Sequence, residues 1–209
     1  MDREYYEWDN FWWEKAGDRK CSRVAIVGDS ITCGYRDEVQ KMLKDREILV
    51  DRFSCSRCAG DPALNAELEY VFGAACGYEY KVIHFNNGLH GGCNDTMISD
   101  EEYNTGIEEC IKIIKKLQPG AQIIIATSTN MVDMSKPEDE FDGQKNAFII
   151  RRNDFVKKFA AENNIPVDDL YEAVAWKAEY PHSDGVHFKP ESYRKLAECV
   201  VESMLPYLK

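Results

Sequence analysis

The chain has 209 residues, 44% hydrophobic and 30% charged, a folded, water-facing balance that excludes a disordered chain and suits one sizeable core rather than two. Its 37 acidic and 26 basic side chains leave a net charge of −11, and such a surface repels phosphate backbones and anionic lipid, so neither nucleic acid nor a membrane is expected as a partner. No apolar run approaches membrane-spanning length, and the start Met1-Asp2-Arg3-Glu4-Tyr5-Tyr6 lacks the basic and apolar segments of an export signal, so the expected location is the cytoplasm.

Residues 1–20 carry Tyr5, Tyr6, Trp8, Phe11, Trp12 and Trp13. Rings of that size bury large areas, so this stretch is expected to be an arm or short helix laid on a single domain spanning 21–209. A sharper reading makes it a wall of a substrate pocket. The first strand signal is Val24-Ala25-Ile26-Val27, an unbroken apolar run that stops at Gly28 and delivers Asp29-Ser30, as a fully buried parallel strand does. A helix is expected over 37–44, a second strand over 47–53, and then a loop with Cys55, Cys58 and Gly60. Helical spacing returns over 63–75.

Lys81 to Asn86 reads as the third strand, followed by the glycine and polar loop Asn87-Gly88-Leu89-His90-Gly91-Gly92-Cys93-Asn94-Asp95. A helix over 101–117 ends at Pro119-Gly120. Strand four lies within 121–127, a polar loop fills 128–143, and its Pro-Glu-Asp-Glu run reads as a solvated face or lid rather than a metal site. A helix over about 145–163, a brief strand at 165–167, a helix over 169–177 and a closing helix over 191–205 complete the alternation. Five strand–helix alternations imply an α/β sandwich of three layers, with about five parallel strands whose carboxyl-end loops share one edge.

Eight cysteines are many, but a chain of this length needs no disulfide frame. Cys55-Ser56-Arg57-Cys58 is a CxxC pair without the second ligand pair that a structural zinc site requires, so no metal is expected.

Two loops on the shared edge carry chemistry. Ser30 follows the first strand, where open α/β sheets bind ligands and where a helix start favours negative charge. Asp184 and His187 sit three residues apart, just before the last helix. A serine hydroxyl becomes nucleophilic when an imidazole takes its proton, and a carboxylate orients that imidazole. Either loop alone is more often a cap or a turn; their pairing at one edge points to acyl transfer.

On these residues the chain resembles the SGNH or GDSL hydrolases: Gly28-Asp29-Ser30 after strand one, Gly60 after strand two, a glycine and polar loop after strand three, and Asp184-Gly185-Val186-His187 before the final helix. The likeness spans about 23–205. It implies a flavodoxin-like fold, no cofactor, Ser30 as nucleophile, His187 as general base and then acid, and Asp184 as its orienting carboxylate. The implied oxyanion hole takes the amides of Ser30 and Gly60 plus a side-chain donor from the third block. Asp29 shapes the turn.

The third block departs from the family's usual Gly-x-Asn-Asp. In that register His90 takes the asparagine position, within His84-Phe85-Asn86-Asn87-Gly88-Leu89-His90. The donor is then His90, Asn94, or the strand-end Asn86 or Asn87; strand register favours His90. His84 reads as a buried strand histidine.

The expected activity is a serine esterase acting on short acyl esters, with an O-acetylated carbohydrate preferred as substrate because no long apolar stretch suggests a fatty-acyl tunnel. Tyr35, Arg36, Asn130, Trp176 and Tyr180 offer polar and aromatic surface suited to a sugar. The rival readings are a lysophospholipase or thioesterase, and a non-catalytic carbohydrate- or partner-binding module.

Overall fold

The structure, a computed structural model, describes residues 6–92, 98–141 and 143–208. These form β1 (Asp9–Trp12), β2 (Ser22–Gly28), α1 (Ser30–Leu43), β3 (Ile48–Cys55), α2 (Pro62–Glu69), β4 (Val82–Asn86), α3 (Asp100–Leu117), β5 (Gln122–Ala126), α4 (Gly143–Glu162), β6 (Val167–Asp168), α5 (Leu170–Val174) and α6 (Pro190–Met204). One sheet runs β1-β3-β2-β4-β5-β6. Its last five strands are parallel, and their order is the doubly wound 2-1-3-4-5 of flavodoxin-like folds, in which ligands bind where the order reverses. That point is the gap between β2 and β4.

Alternate residues of the buried strands feed two cores. Ala25, Val27, Ile83, Phe85, Ile123 and Ile125 pack under α2 and α3; Val24, Ile26, Val50, Val82 and Ile124 pack under α1, α5 and α6. The apolar runs are continuous because both sheet faces are covered. No helix among the described residues is long and apolar enough to cross a membrane.

Three elements differ from the sequence expectation. Helix α1 begins at Ser30, seven residues before 37, because the Asp29 side chain accepts the Ile31 N–H and caps it. Gly34 lies inside that helix, where a Cβ would stand 2.1 Å from the Tyr193 ring. Helix α2 ends at Glu69 and continues as a wider π turn to Ala75.

Over 9–12 the aromatic N-terminal stretch lies on the domain as an extended strand rather than a helix. It is an edge strand antiparallel to β3, with Asp9 opposite Cys55 and Trp12 opposite Arg52. Phe11 turns inward and meets Phe53 edge to face at 6.1 Å, while Trp12 faces solvent. Arg57 pairs with Asp9, and the Arg52 guanidinium donates to Asn10 at 2.6 Å.

Behind this strand a buried ion pair ties the chain together. Arg23 donates to both oxygens of Asp51, at 2.8 and 3.0 Å, and to the carbonyls of Glu14, Lys15 and Asp18. Removing one member of such a pair leaves an uncompensated charge at a cost of about 3–5 kcal/mol. Asp51→Ala is therefore expected to lower the calorimetric Tm by roughly 10 °C in a domain of this size. A fall of only about 2 °C would mean that water takes over the solvation of Arg23.

Candidate active site

Strand β2 ends at Gly28, where a Cβ would meet Thr32 Cγ2 at 2.2 Å and the Asn86 carbonyl at 3.3 Å. Glycine thus lets the turn close tightly against β4. Asp29 caps α1, and Ser30 becomes the first helical residue with its hydroxyl at the carboxyl edge of the sheet. Thr32 joins the ends of two strands, since its hydroxyl donates to the Asp29 carbonyl at 2.6 Å and meets Ser54 Oγ at 2.5 Å.

The loop between α5 and α6 brings the second block to the same place. His187 Nε2 lies 2.7 Å from Ser30 Oγ, and His187 Nδ1 lies 2.8 Å from Asp184 Oδ2. Asp184 Oδ1 accepts the backbone N–H groups of Val186 and His187 at 3.0 and 2.7 Å, an Asx turn that sets the loop. Gly185 has φ +91°, and a Cβ there would press on the Val132 carbonyl at 2.8 Å. Burial acts to raise the Asp184 carboxyl, but the hydrogen bonds from the His187 ring and the two amides outweigh it and hold the group at about 2. Since Asp184 is an anion, it accepts a hydrogen bond from His187 Nδ1–H and so keeps the proton on Nδ1, which leaves the Nε2 lone pair for the Ser30 hydroxyl. The pair is open to substrate, with 40% of the His187 side chain and 56% of the Asp184 side chain exposed.

The segment 128–141 reaches over this loop. Glu138 accepts the backbone N–H of His182 at 2.8 Å and meets His182 Nδ1 at 2.8 Å, while His182 Nε2 donates to the Asn130 carbonyl at 3.1 Å. The acidic run 137–140 is thus partly a clasp on the histidine loop rather than only a solvated face.

The remaining predicted residues sort by what their polar atoms already do. Gly60 sits in the loop after β3 with φ +99°, its Cα backed against α3, where a Cβ would stand 3.0 Å from the Glu102 carbonyl. Asn87 holds that loop: its Oδ1 accepts the Ala59 N–H at 2.8 Å and its Nδ2 donates to the Arg57 carbonyl at 2.9 Å. Asn86 donates both its bonds to the carbonyls of Ala126 and Thr127. Both N–H groups of Asn86 are thus spent on backbone carbonyls, and Asn87 spends its oxygen and one N–H on the loop it holds. Asn94 lies outside the described residues. His90 stands half-buried beside Trp8, ring centroids 6.2 Å apart and nearly perpendicular. Asp29 is raised chiefly by burial, and the charges of His90 and His187 both act on it in the opposite direction, so both imidazoles lie within electrostatic reach of the turn that carries Ser30. His84 is buried and bonded to Asp168 at 2.9 Å.

One expectation needs correction. Tyr35 and Arg36 are buried in α1, Tyr35 in the core and Arg36 against the Val50 carbonyl and Glu14, so neither can face a sugar. Cys55 and Cys58 are separately buried thiols, and burial pushes the Cys55 thiol up. Two further residues lie at the site, Trp8 from the aromatic stretch whose sharper reading is a pocket wall, and Arg152, which has no signal in the sequence. Trp8 reaches it only because β1 pairs with β3, and Arg152, on α4, binds the backbone of the His90 loop. A cavity of about 730 Å³ lined by Arg19, Tyr78 and Lys81 lies at the opposite, amino-terminal edge of the sheet and shares no residue with this site.

A family model for GDSL-like lipases and acylhydrolases matches residues 26–195, which takes in Ser30, Asp184 and His187. The chain belongs to the GDSL-like lipase/acylhydrolase family. Its members cleave esters, and this chain is an ester-hydrolysing enzyme of that family. The fold is shared with an acetylxylan esterase from Geobacillus stearothermophilus, solved as a catalytic mutant, at 17% identity, TM-score 0.71, covering 90% of this chain and 96% of that one. It is shared equally with a carbohydrate esterase of family 3 from Talaromyces cellulolyticus (14% identity, TM-score 0.70, 90% and 98% covered). The aryl esterase of M. smegmatis has the same architecture (14% identity, TM-score 0.70, 90% and 100% covered). No curated protein matches the chain.

Proposed function

We propose that this GDSL-family enzyme is a serine esterase that removes short acyl groups, acetyl above all, from a carbohydrate through an acyl-enzyme on Ser30. The observation that carries the reading is the unbroken hydrogen-bonded chain Asp184–His187–Ser30, at 2.8 and 2.7 Å. Ser30 Oγ attacks the ester carbonyl while His187 Nε2 takes the hydroxyl proton. The negative charge that develops on the carbonyl oxygen is met by the amides of Ser30 and Gly60 and by a ring N–H of His90. His187 then hands its proton to the leaving sugar oxygen, and the acyl group stays on Ser30. Water, deprotonated by the same imidazole, attacks the acyl-enzyme and releases the acid. Asp184 stabilises the imidazolium in both halves without accepting a proton.

His90 is the donor this reading uses because it takes the donor position in the strand register, while Asn86 spends both N–H groups and Asn87 its oxygen and one N–H on backbone groups. His90→Ala is expected to lower kcat about 10²–10³-fold with little change in KM, the usual cost of losing one oxyanion donor. Turnover within a few-fold of wild type would remove His90 from the mechanism.

The carbohydrate assignment draws on two fold neighbours that are an acetylxylan esterase and a carbohydrate esterase, and on the Trp8 ring beside His90, an apolar face of the kind sugars stack on. The test is hydrolysis of p-nitrophenyl acetate against butyrate and octanoate, followed by acetate release from acetylated xylan. Steep preference for acetyl with release from the polymer is the expected result. Preference for octanoate would turn the assignment toward a lysophospholipase or thioesterase.

A further inference from the structure

Residues 87–92, which follow β4 and carry His90, form no helix or strand, yet carbonyls of this stretch converge on one guanidinium. Arg152 Nη1 donates to the carbonyls of Gly88 and His90, and Nη2 to that of Gly91, all at 2.8 Å. Arg152 is only 2% exposed. Its guanidinium lies 4.4 Å from the Tyr103 ring centroid and 5.1 Å from that of Phe148. The same two rings brace the loop directly: the Tyr103 hydroxyl donates to the Asn87 carbonyl at 2.5 Å, and Phe148 occupies the space where a Cβ on Gly92 would fall.

A buried charge is an expensive way to fill space, since an apolar side chain of similar volume often gives equal or better stability. What the guanidinium supplies that an apolar residue does not is a rigid planar fork of donors. Three donors on one plane fix the orientation of three peptide groups. Without them the Gly88–Gly91 stretch, rich in glycine, has many accessible backbone states. A peptide flip there would move the His90 ring or aim a carbonyl oxygen where a donor is needed.

We propose that Arg152 is a positioning residue for the oxyanion hole: by clamping the carbonyls of Gly88, His90 and Gly91 it aims the His90 N–H at the developing oxyanion. This rests on His90 as donor and Ser30 as nucleophile. Arg152 does not touch substrate and acts through His90.

Arg152→Met is expected to lower kcat about 10²-fold with KM nearly unchanged, the scale of a misplacement of about 1 Å in a catalytic group. Arg152→Lys keeps the charge but not the planar fork, so it is expected to fold and to recover part of that loss. The deciding measurement is a double-mutant cycle with His90→Ala, read on Arg152→Met or, if that variant does not fold, on Arg152→Lys. If Arg152 acts through His90, the double variant turns over no more slowly than His90→Ala alone. Losses that multiply overturn the positioning role, as does wild-type kcat in both Arg152 variants while His90→Ala is slow; in either case the esterase reading stands. A Ser30→Ala enzyme with full activity would instead remove the mechanism on which the proposal depends.

Discussion

Ser30→Ala is expected to reduce ester hydrolysis to background, on the order of 10⁶-fold below wild type, which is the scale seen when a serine hydrolase loses its nucleophile. The fold should not suffer, because the cap of α1 is the Asp29 side chain accepting from Ile31, and the serine hydroxyl takes no part in it. Alanine also favours the first turn of a helix at least as well as serine. Circular dichroism and Tm are thus expected to match wild type while turnover disappears. His187→Ala should cost nearly as much, and the double variant little more than either single one, since nucleophile and base act as a unit. If Ser30→Ala and wild type hydrolyse p-nitrophenyl acetate at equal rates, Ser30 is not the nucleophile. Another group would then carry the attack, and the other side chains at the carboxyl edge of the sheet would be the next to vary.

The serine and histidine blocks were legible in the sequence because each is a local device. Gly28 must lack a side chain for β2 to turn, Asp29 must cap, and Asp184 must reach its own following amides; these demands fall on neighbouring residues and leave a readable pattern. The buried parallel strands were legible for a similar reason, as unbroken apolar runs that both covered faces require. Elements set by distant contacts were not. Strand β1 is short, exposed on one face, and defined only by pairing with β3 some forty residues on, so its aromatic density gave no period of two. Gly34 is helical because Tyr193, on the last helix, needs the room. Arg152 follows Arg151, which pairs at the surface with Asp100; nothing in the dipeptide tells which arginine turns inward. The bonds that Asn86 and Asn87 make to neighbouring backbone groups, which the proposal of His90 as donor draws on, leave no trace in the sequence.

Asp184→Asn is expected to lower kcat about 10³–10⁴-fold while leaving the loop in place, and the reason is the tautomer rather than the geometry. An asparagine oxygen can still accept the Val186 and His187 amides that Asp184 Oδ1 now accepts, so the turn survives. Its NH₂ group, however, donates to His187 Nδ1 and stabilises the tautomer that carries its proton on Nε2. That nitrogen then faces Ser30 as a donor and cannot take the hydroxyl proton. Acidification of the wild type separates this effect from simple loss of charge. The Asp184 carboxyl is held down at about 2 against an ordinary value of 3.8, so its folded-state pKa is the lower one. Its contribution to the native loop is complete above 3.8 and is lost as pH falls toward 2. Any fall in kcat/KM that sets in well above that range belongs to another group. Asp184→Asn should therefore be slow across the neutral range, where wild-type Asp184 is fully ionised. An Asp184→Asn enzyme that recovers wild-type turnover at neutral pH would show that His187 finds its working tautomer without the carboxylate.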